Sequence, residues 1–333
     1  MKPMRELRGI DPGALPDELL QSTEPVLLRG LVAHWPAARA GARSTSEAIA
    51  YLRNCWRDAT VGMLFGPPEI EGRFFYNDDL TGFNFRREMG TLDTVLDALL
   101  QLESIPRPAA LYVGSTTVET CLPGFGADNH LGFGKRDPLA SVWLGNRSRI
   151  AAHFDLPDNL ACVVAGRRRF TLFPPDELAN LYVGPLDFTP AGQAISLVDF
   201  LKPDFVRFPK FAMALKRAQV VDLAPGDAVF IPSMWWHHVE ALESFNVLIN
   251  YWWRETPAHM DSPMAALMLA LMTVRELPPA QRQAWKNQFS HYVFDANADT
   301  SAHVPQHARS ALAPLDDAGA RKMRAELLKR LNR

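Results

Sequence analysis

The sequence predicts a mainly β fold with helical flanks, a barrel or sandwich set between helical regions. Two observations carry that prediction. Between residues 109 and 255 the apolar runs are short, rich in β-branched and aromatic residues, and separated by proline and glycine, with no helix-length pattern between most of them. Many short strands without intervening helices argue against a parallel α/β sheet. On either side of this region, apolar positions recur at helical spacing instead. The chain divides accordingly into a 1–108 α/β flank packing on the core, a 109–255 β core and a 256–333 helical region.

In order along the chain, Pro16-Asp17-Glu18-Leu19-Leu20 starts a helical turn, and Pro25 to Gly30 is an apolar strand closed by glycine. Ser44 to Trp56 carries Ala48, Ile49, Tyr51 and Leu52 behind a serine or threonine cap, the signature of an amphipathic helix. Thr91 to Leu102 repeats the pattern with Leu92, Val95, Leu96, Leu99 and Leu100. Strands are expected at Ala110–Val113, Ala140–Leu144, Asn159–Ala165, Arg168–Phe173, Gln219–Leu223, Ala228–Ile231 and Phe245–Tyr251, with a tight hairpin at Gly166-Arg167. Helices return at Pro263–Arg275, Pro279–Val293 and Ala318–Leu331. The first of these has a stripe of Met264, Leu267, Met268, Leu271 and Met272, a face for packing against the barrel or against a second copy.

Composition bounds the function. The chain has 333 residues, 47% of them apolar, and a formal net charge of −2, so it can bury a sizeable core and shows no electrostatic footprint for nucleic acid. Cys55, Cys121 and Cys162 lie far apart, which suggests neither a disulfide framework nor a cysteine zinc site. The N-terminus lacks the apolar stretch of a signal peptide, and no apolar run approaches the roughly 20 residues needed to span a bilayer. A reducing cytoplasm is the expected location.

The chemistry concentrates in Ile150-Ala151-Ala152-His153-Phe154-Asp155 and Met234-Trp235-Trp236-His237-His238. In an extended strand, residues i and i+2 share a face, so His153 and Asp155 project an imidazole and a carboxylate into one space. The strand at Ala228–Ile231 delivers a histidine pair just beyond its end. Two histidines and one carboxylate leave half an octahedron open, the arrangement non-haem Fe(II) oxygenases use. The remaining histidines, His34, His130, His259, His291, His303 and His307, have no partner spacing that assigns them a role. Arg168 shares a strand face with Phe170 and Leu172, and a buried arginine needs an anion to offset its desolvation.

The ordered set of His153-Phe154-Asp155, Asn159, Gly166 to Pro175, Pro225 to Val239 and Asn250-Tyr251-Trp252-Trp253 resembles the JmjC-type, cupin-like Fe(II)/2-oxoglutarate oxygenases, nearest to the branch of the factor-inhibiting-HIF asparaginyl hydroxylase and its bacterial cupin-like relatives. The resemblance covers roughly residues 20 to 255. It implies a double-stranded β-helix, with iron held by His153, Asp155 and the histidine that follows the tryptophan pair, His237 in preference to His238. It further implies that Arg168 anchors the far carboxylate of 2-oxoglutarate where the branch has lysine, that Tyr112 shares that carboxylate, and that Asn159 and Asn250 line the co-substrate or orient the metal shell. At Ile150, the branch has a hydroxyl side chain touching 2-oxoglutarate. Ile150, Trp236, His238 and Trp252 are candidate cavity lining. The activity implied is hydroxylation of a C–H bond with dioxygen, in a protein or peptide side chain; a small-molecule hydroxylase and a metal-binding module that does not turn over 2-oxoglutarate are the alternatives. The C-terminal helices imply a homodimer.

Overall fold

The computed structural model describes residues 2–260 and 262–332. In chain order its strands are β1 (Arg5–Arg8), β2 (Val26–Arg29), β3 (Thr60–Gly66), β4 (Arg73–Phe74), β5 (Arg86–Thr91), β6 (Ala110–Thr117), β7 (Leu139–Gly145), β8 (Ser148–His153), β9 (Asp158–Ala165), β10 (Arg168–Phe173), β11 (Gln219–Leu223), β12 (Ala228–Ile231), β13 (Trp236–Ala241) and β14 (Asn246–Trp253). Among the described residues they form a larger sheet, ordered β1-β2-β12-β9-β14-β7-β6-β3-β5, and a smaller one, ordered β11-β10-β13-β8-β4. From β7 to β14 the chain crosses between the sheets at nearly every step. That alternation winds a double-stranded β-helix, and the fold is mainly β with helical flanks.

The seven expected core strands are present, several a residue or more longer. The 1–108 flank does more than pack on the core, since it adds strands to the larger sheet. Strand β2 pairs antiparallel with β12, opposing Leu28 to Ala228, and β3 pairs with β6, opposing Leu64 to Tyr112. Its helices fall at Thr45–Cys55, capped by Ser44, and at Leu92–Leu102, capped by Thr91; each cap's side-chain oxygen accepts a backbone N–H three residues on.

Two apolar layers explain why the central strands read as unbroken hydrophobic runs. On β9, Leu160, Cys162 and Val164 face the helical flank, whereas Ala161 and Val163 face the smaller sheet. Strand β12 divides the same way, Ala228 and Phe230 outward, Val229 and Ile231 inward. The smaller sheet answers with Phe170, Leu172, Val221, Leu223 and Val239, so an apolar core fills the space between the sheets. On β14, Leu248 joins that inner layer, which aims Asn250 and Trp252 into the same interior by the period of two. The expected hairpin joins β9 to β10 through Gly166 at φ +70°, where an added Cβ would lie 2.3 Å from Asn246 Oδ1. Only glycine suits that turn.

Residues Met1–Arg254 form one compact unit and Glu255–Arg333 another. The second contains helices at Met264–Thr273, Pro279–Phe289 and Asp317–Leu331. No residue of Met264–Thr273 is buried; Leu267, Met268 and Met272 of its apolar stripe are exposed. No helix among the described residues is long and apolar enough to cross a membrane.

Candidate active site

His153 ends β8 and is paired with His237 on β13, which brings the two ring centroids to 4.4 Å. The histidine pair does not sit just beyond β12, as the sequence suggested. After β12 the chain turns through residues 232–235 and crosses to the smaller sheet, where β13 carries both rings. That turn is clamped to the loop after His153. The Met234 N–H donates to Asp155 O at 2.9 Å, the Ser233 N–H to Asp158 Oδ1 at 2.9 Å, and Ser233 Oγ to Leu156 O at 2.6 Å. Met234 has φ +67°, a left-handed conformation that a non-glycine residue adopts only when its surroundings hold it there.

The β8–β13 register steps from His153/His237 to Ile150/Val239, so Ala151 and Ala152 together oppose the single residue His238. Strict alternation would put Ile150 and His153 on opposite faces. The bulge re-aims the strand, and both line one cavity.

Asp155 completes the group. Its carboxylate oxygen and one nitrogen from each of His153 and His237 lie within 4.8 Å of one another, and His237 Nε2 is 3.6 Å from Asp155 Oδ2. Each ring's Nδ1 meets a backbone carbonyl, His153 with Ala151 O at 2.9 Å and His237 with Trp235 O at 3.0 Å. A carbonyl only accepts, so both rings carry their proton on Nδ1 and leave Nε2 as a lone-pair donor. Burial lowers the His237 pKa; the neighbouring His153 lowers it further, against the opposing pull of Asp155. A neutral imidazole is the form that ligates a metal. Donor set, tautomers and spacing fit a divalent cation.

Arg168 begins β10 with its side chain buried beside Phe170. Its one direct hydrogen bond to backbone is long, from Nη2 to Trp143 O at 3.4 Å, and its Nε has no partner. The Tyr112 hydroxyl interacts with the guanidinium; burial pushes the Tyr112 pKa up to about 12 despite that cation, and burial lowers that of Arg168. No carboxylate neutralises Arg168 among the described ion pairs, and an orphaned N–H on a buried cation marks a place for an anion. Arg168, Tyr112 and the triad line the same cavity of about 580 Å³.

Asn159 and Asn250 also line it. Asn159 Nδ2 donates to Asp155 Oδ2 at 3.2 Å, and Asn250 Nδ2 donates to Asn159 Oδ1 at 3.3 Å. Of the four further lining candidates, Ile150 and Trp252 border the cavity. Trp236 and His238 do not, and this corrects the expectation. They alternate with His237 on β13, so they face away from it: Trp236 packs edge-on against Phe154 at 5.0 Å, and His238 lies 4.5 Å from the Phe200 ring. Trp143 was missed. It sits in an apolar strand run that reads as core, and only its Nε1–H bond to Asn250 Oδ1 at 2.6 Å reveals a polar duty.

A profile of the family described as the cupin-like domain matches residues 12–259. The chain belongs to the cupin-like JmjC family. Similar proteins include the lysine-specific demethylase JMJ31 of Arabidopsis thaliana, 36% identical over 134 residues that make up 37% of this chain and 24% of that protein. Human HSPB1-associated protein 1 is 31% identical over 160 residues, 46% of this chain and 32% of the relative. The chicken tRNA wybutosine-synthesizing protein 5 is 36% identical over 145 residues, 39% of this chain and 42% of the relative. The chain thus spans between about a quarter and two fifths of these relatives' lengths. The family is one of Fe/2-oxoglutarate-type oxygenases, and a His-Asp-His triad of that type is present here.

Proposed function

We propose that this cupin-like protein is an Fe(II)- and 2-oxoglutarate-dependent dioxygenase that hydroxylates a C–H bond, with a protein or peptide side chain as the substrate class. The observation that carries the reading is the convergence, in one cavity, of a His-Asp-His donor set and a buried, unneutralised arginine. His153, Asp155 and His237 would hold the metal, and Arg168 with Tyr112 would bind the distal carboxylate of 2-oxoglutarate. Fe(II) with 2-oxoglutarate, when bound, supplies dioxygen activation coupled to decarboxylation of the keto acid to succinate. The protein's share is to bind, orient and keep water out. Arginine's planar fork can take a carboxylate through two parallel N–H bonds. Ile150 adds apolar wall where the resembling branch has a hydroxyl, so the co-substrate's hold falls chiefly on Arg168 and Tyr112. Apolar walls from Phe170, Leu248 and Trp252 shield the reacting centre.

Family membership does not choose the substrate. The relatives include a lysine demethylase and a tRNA wybutosine-synthesizing protein, and this chain's net charge of −2 favours a peptide over RNA. The exposed apolar side chains of the second unit, Met272, Trp285 and Phe294 among them, support a homodimer. Three buried, unbridged cysteines suit a reducing cytoplasm.

The test is succinate formation from 2-oxoglutarate when anaerobically Fe(II)-loaded protein is transferred to air. Turnover that vanishes in Asp155→Ala supports the oxygenase. Metal binding without any succinate would instead leave a binding module.

A further inference from the structure

The metal-facing carboxylate has a support that extends to two tryptophans. Asp155 Oδ2 accepts two hydrogen bonds, from Asn159 Nδ2 and from Trp252 Nε1, each at 3.2 Å. Behind Asn159 the contacts continue in one direction: Asn250 Nδ2 donates to Asn159 Oδ1 at 3.3 Å, and Trp143 Nε1 donates to Asn250 Oδ1 at 2.6 Å. Asn159 and Asn250 are buried, in the wall of the cavity. The two indoles meet edge-on, 5.7 Å apart, and bracket this chain.

The polarity of the chain is decided at its ends. An indole N–H can only donate, so the group of Asn250 that faces Trp143 is its oxygen, and its NH2 is left for Asn159. Asn159 then receives with its oxygen and turns its own NH2 to Asp155, which as a carboxylate can only accept. Neither amide can flip alone without opposing two donors or two acceptors. An amide orientation is ordinarily ambiguous; here both termini dictate it.

We propose that Trp143 and Trp252 are positioning residues of the metal centre. Trp252 holds Asp155 Oδ2 directly, and Trp143 holds it through the polarised Asn250–Asn159 relay, so that the carboxylate is fixed in rotation before any metal arrives. This rests on the reading that the triad binds a divalent metal. Trp143 also touches the other half of the cavity, because its backbone oxygen accepts from Arg168 Nη2. One residue thereby ties the orientation of Asp155 to that of the buried cation.

Co(II), whose visible absorption reports ligand geometry, tests this without turnover. Groups that orient a ligand typically change metal affinity by about 10- to 100-fold when removed. Trp252→Phe and Trp143→Phe, each checked for an unchanged melting profile, should weaken Co(II) binding within that range and alter the band shape. In an Asn159→Ala background the relay is already cut, so Trp143→Phe should add nothing, whereas Trp252→Phe should still weaken binding. If the unsubstituted protein takes up no Co(II), the metal reading and this inference both fall. If it binds, but both phenylalanine variants match it in affinity and spectrum, the positioning role alone falls. Equal weakening by Trp143→Phe with and without Asn159 would overturn the relay.

Discussion

Arg168→Met should make the protein more stable and less able to hold 2-oxoglutarate. The guanidinium is about as buried as a side chain can be, makes one long hydrogen bond to backbone, leaves Nε unsatisfied and has no carboxylate against it among the described ion pairs. Even a paired buried charge, replaced by an apolar side chain of similar volume, often gains about 1–4 kcal/mol. For a chain of this size each kcal/mol moves the melting midpoint by about 2–4 °C, so a rise of roughly 2–16 °C is expected in differential scanning fluorimetry without ligand. The affinity moves the other way. Losing two charge-assisted hydrogen bonds, each worth about 1.5–3 kcal/mol, should weaken 2-oxoglutarate by roughly 10²- to 10⁴-fold. Anaerobic titration calorimetry on metal-loaded protein measures that loss. A variant that melts earlier than the parent, or that binds 2-oxoglutarate as the parent does, would refute the idea that Arg168 is a strained cation waiting for an anion.

His153→Ala and Asp155→Ala should each abolish metal-dependent succinate formation while the melting profile shows a folded chain; turnover surviving in both would remove the triad assignment. Gly166→Ala should cost about 1–3 kcal/mol in denaturant unfolding, because the new Cβ meets Asn246 Oδ1 and the Phe245 carbonyl at a left-handed turn, and an unaffected midpoint would count against that geometry. Burial, with Arg149 and Arg73 nearby and Asp199 opposing, pushes His238 down to about 3, and the Glu240 carboxylate stands 4.0 Å away. The unfolded chain therefore takes up a proton there below the ordinary imidazole pKa, and stability falls with acidification by about 1.4 kcal/mol per pH unit. His238→Leu should flatten that decline in unfolding curves between pH 6.5 and 4.5 by about this slope, and an unaltered slope would contradict the burial. Light scattering on a chain ending at Glu255 should report a monomer if the second unit forms the dimer, and a persisting dimer would place the interface elsewhere.

Much of the site was legible because strand periodicity is local. Arg168, Phe170 and Leu172 share a face by sequence spacing alone, and so do Asn250 and Trp252 with Leu248. The failures were of a different kind. Trp236 and His238 were candidates for the cavity lining, and the alternation of β13 turns them to Phe154 and Phe200. The strands of the 1–108 flank went largely unseen, since β3 and β5 carry no clean alternation and take their place from pairing with β6 and with each other.

By itself the amino-acid order determined the donor types, their spacing along each strand, the glycine turn at 166 and the mainly β character between helical flanks. Those are short-range matters of sterics and side-chain chemistry. Tertiary structure decided which donors meet. The bulge opposite His238, the clamp of Met234 and Ser233 on the Asp155 loop, and the alignment of Trp143 behind Asn250 all arise between residues far apart in sequence. Such contacts depend on how two sheets close over one interior, and no local pattern encodes that closure.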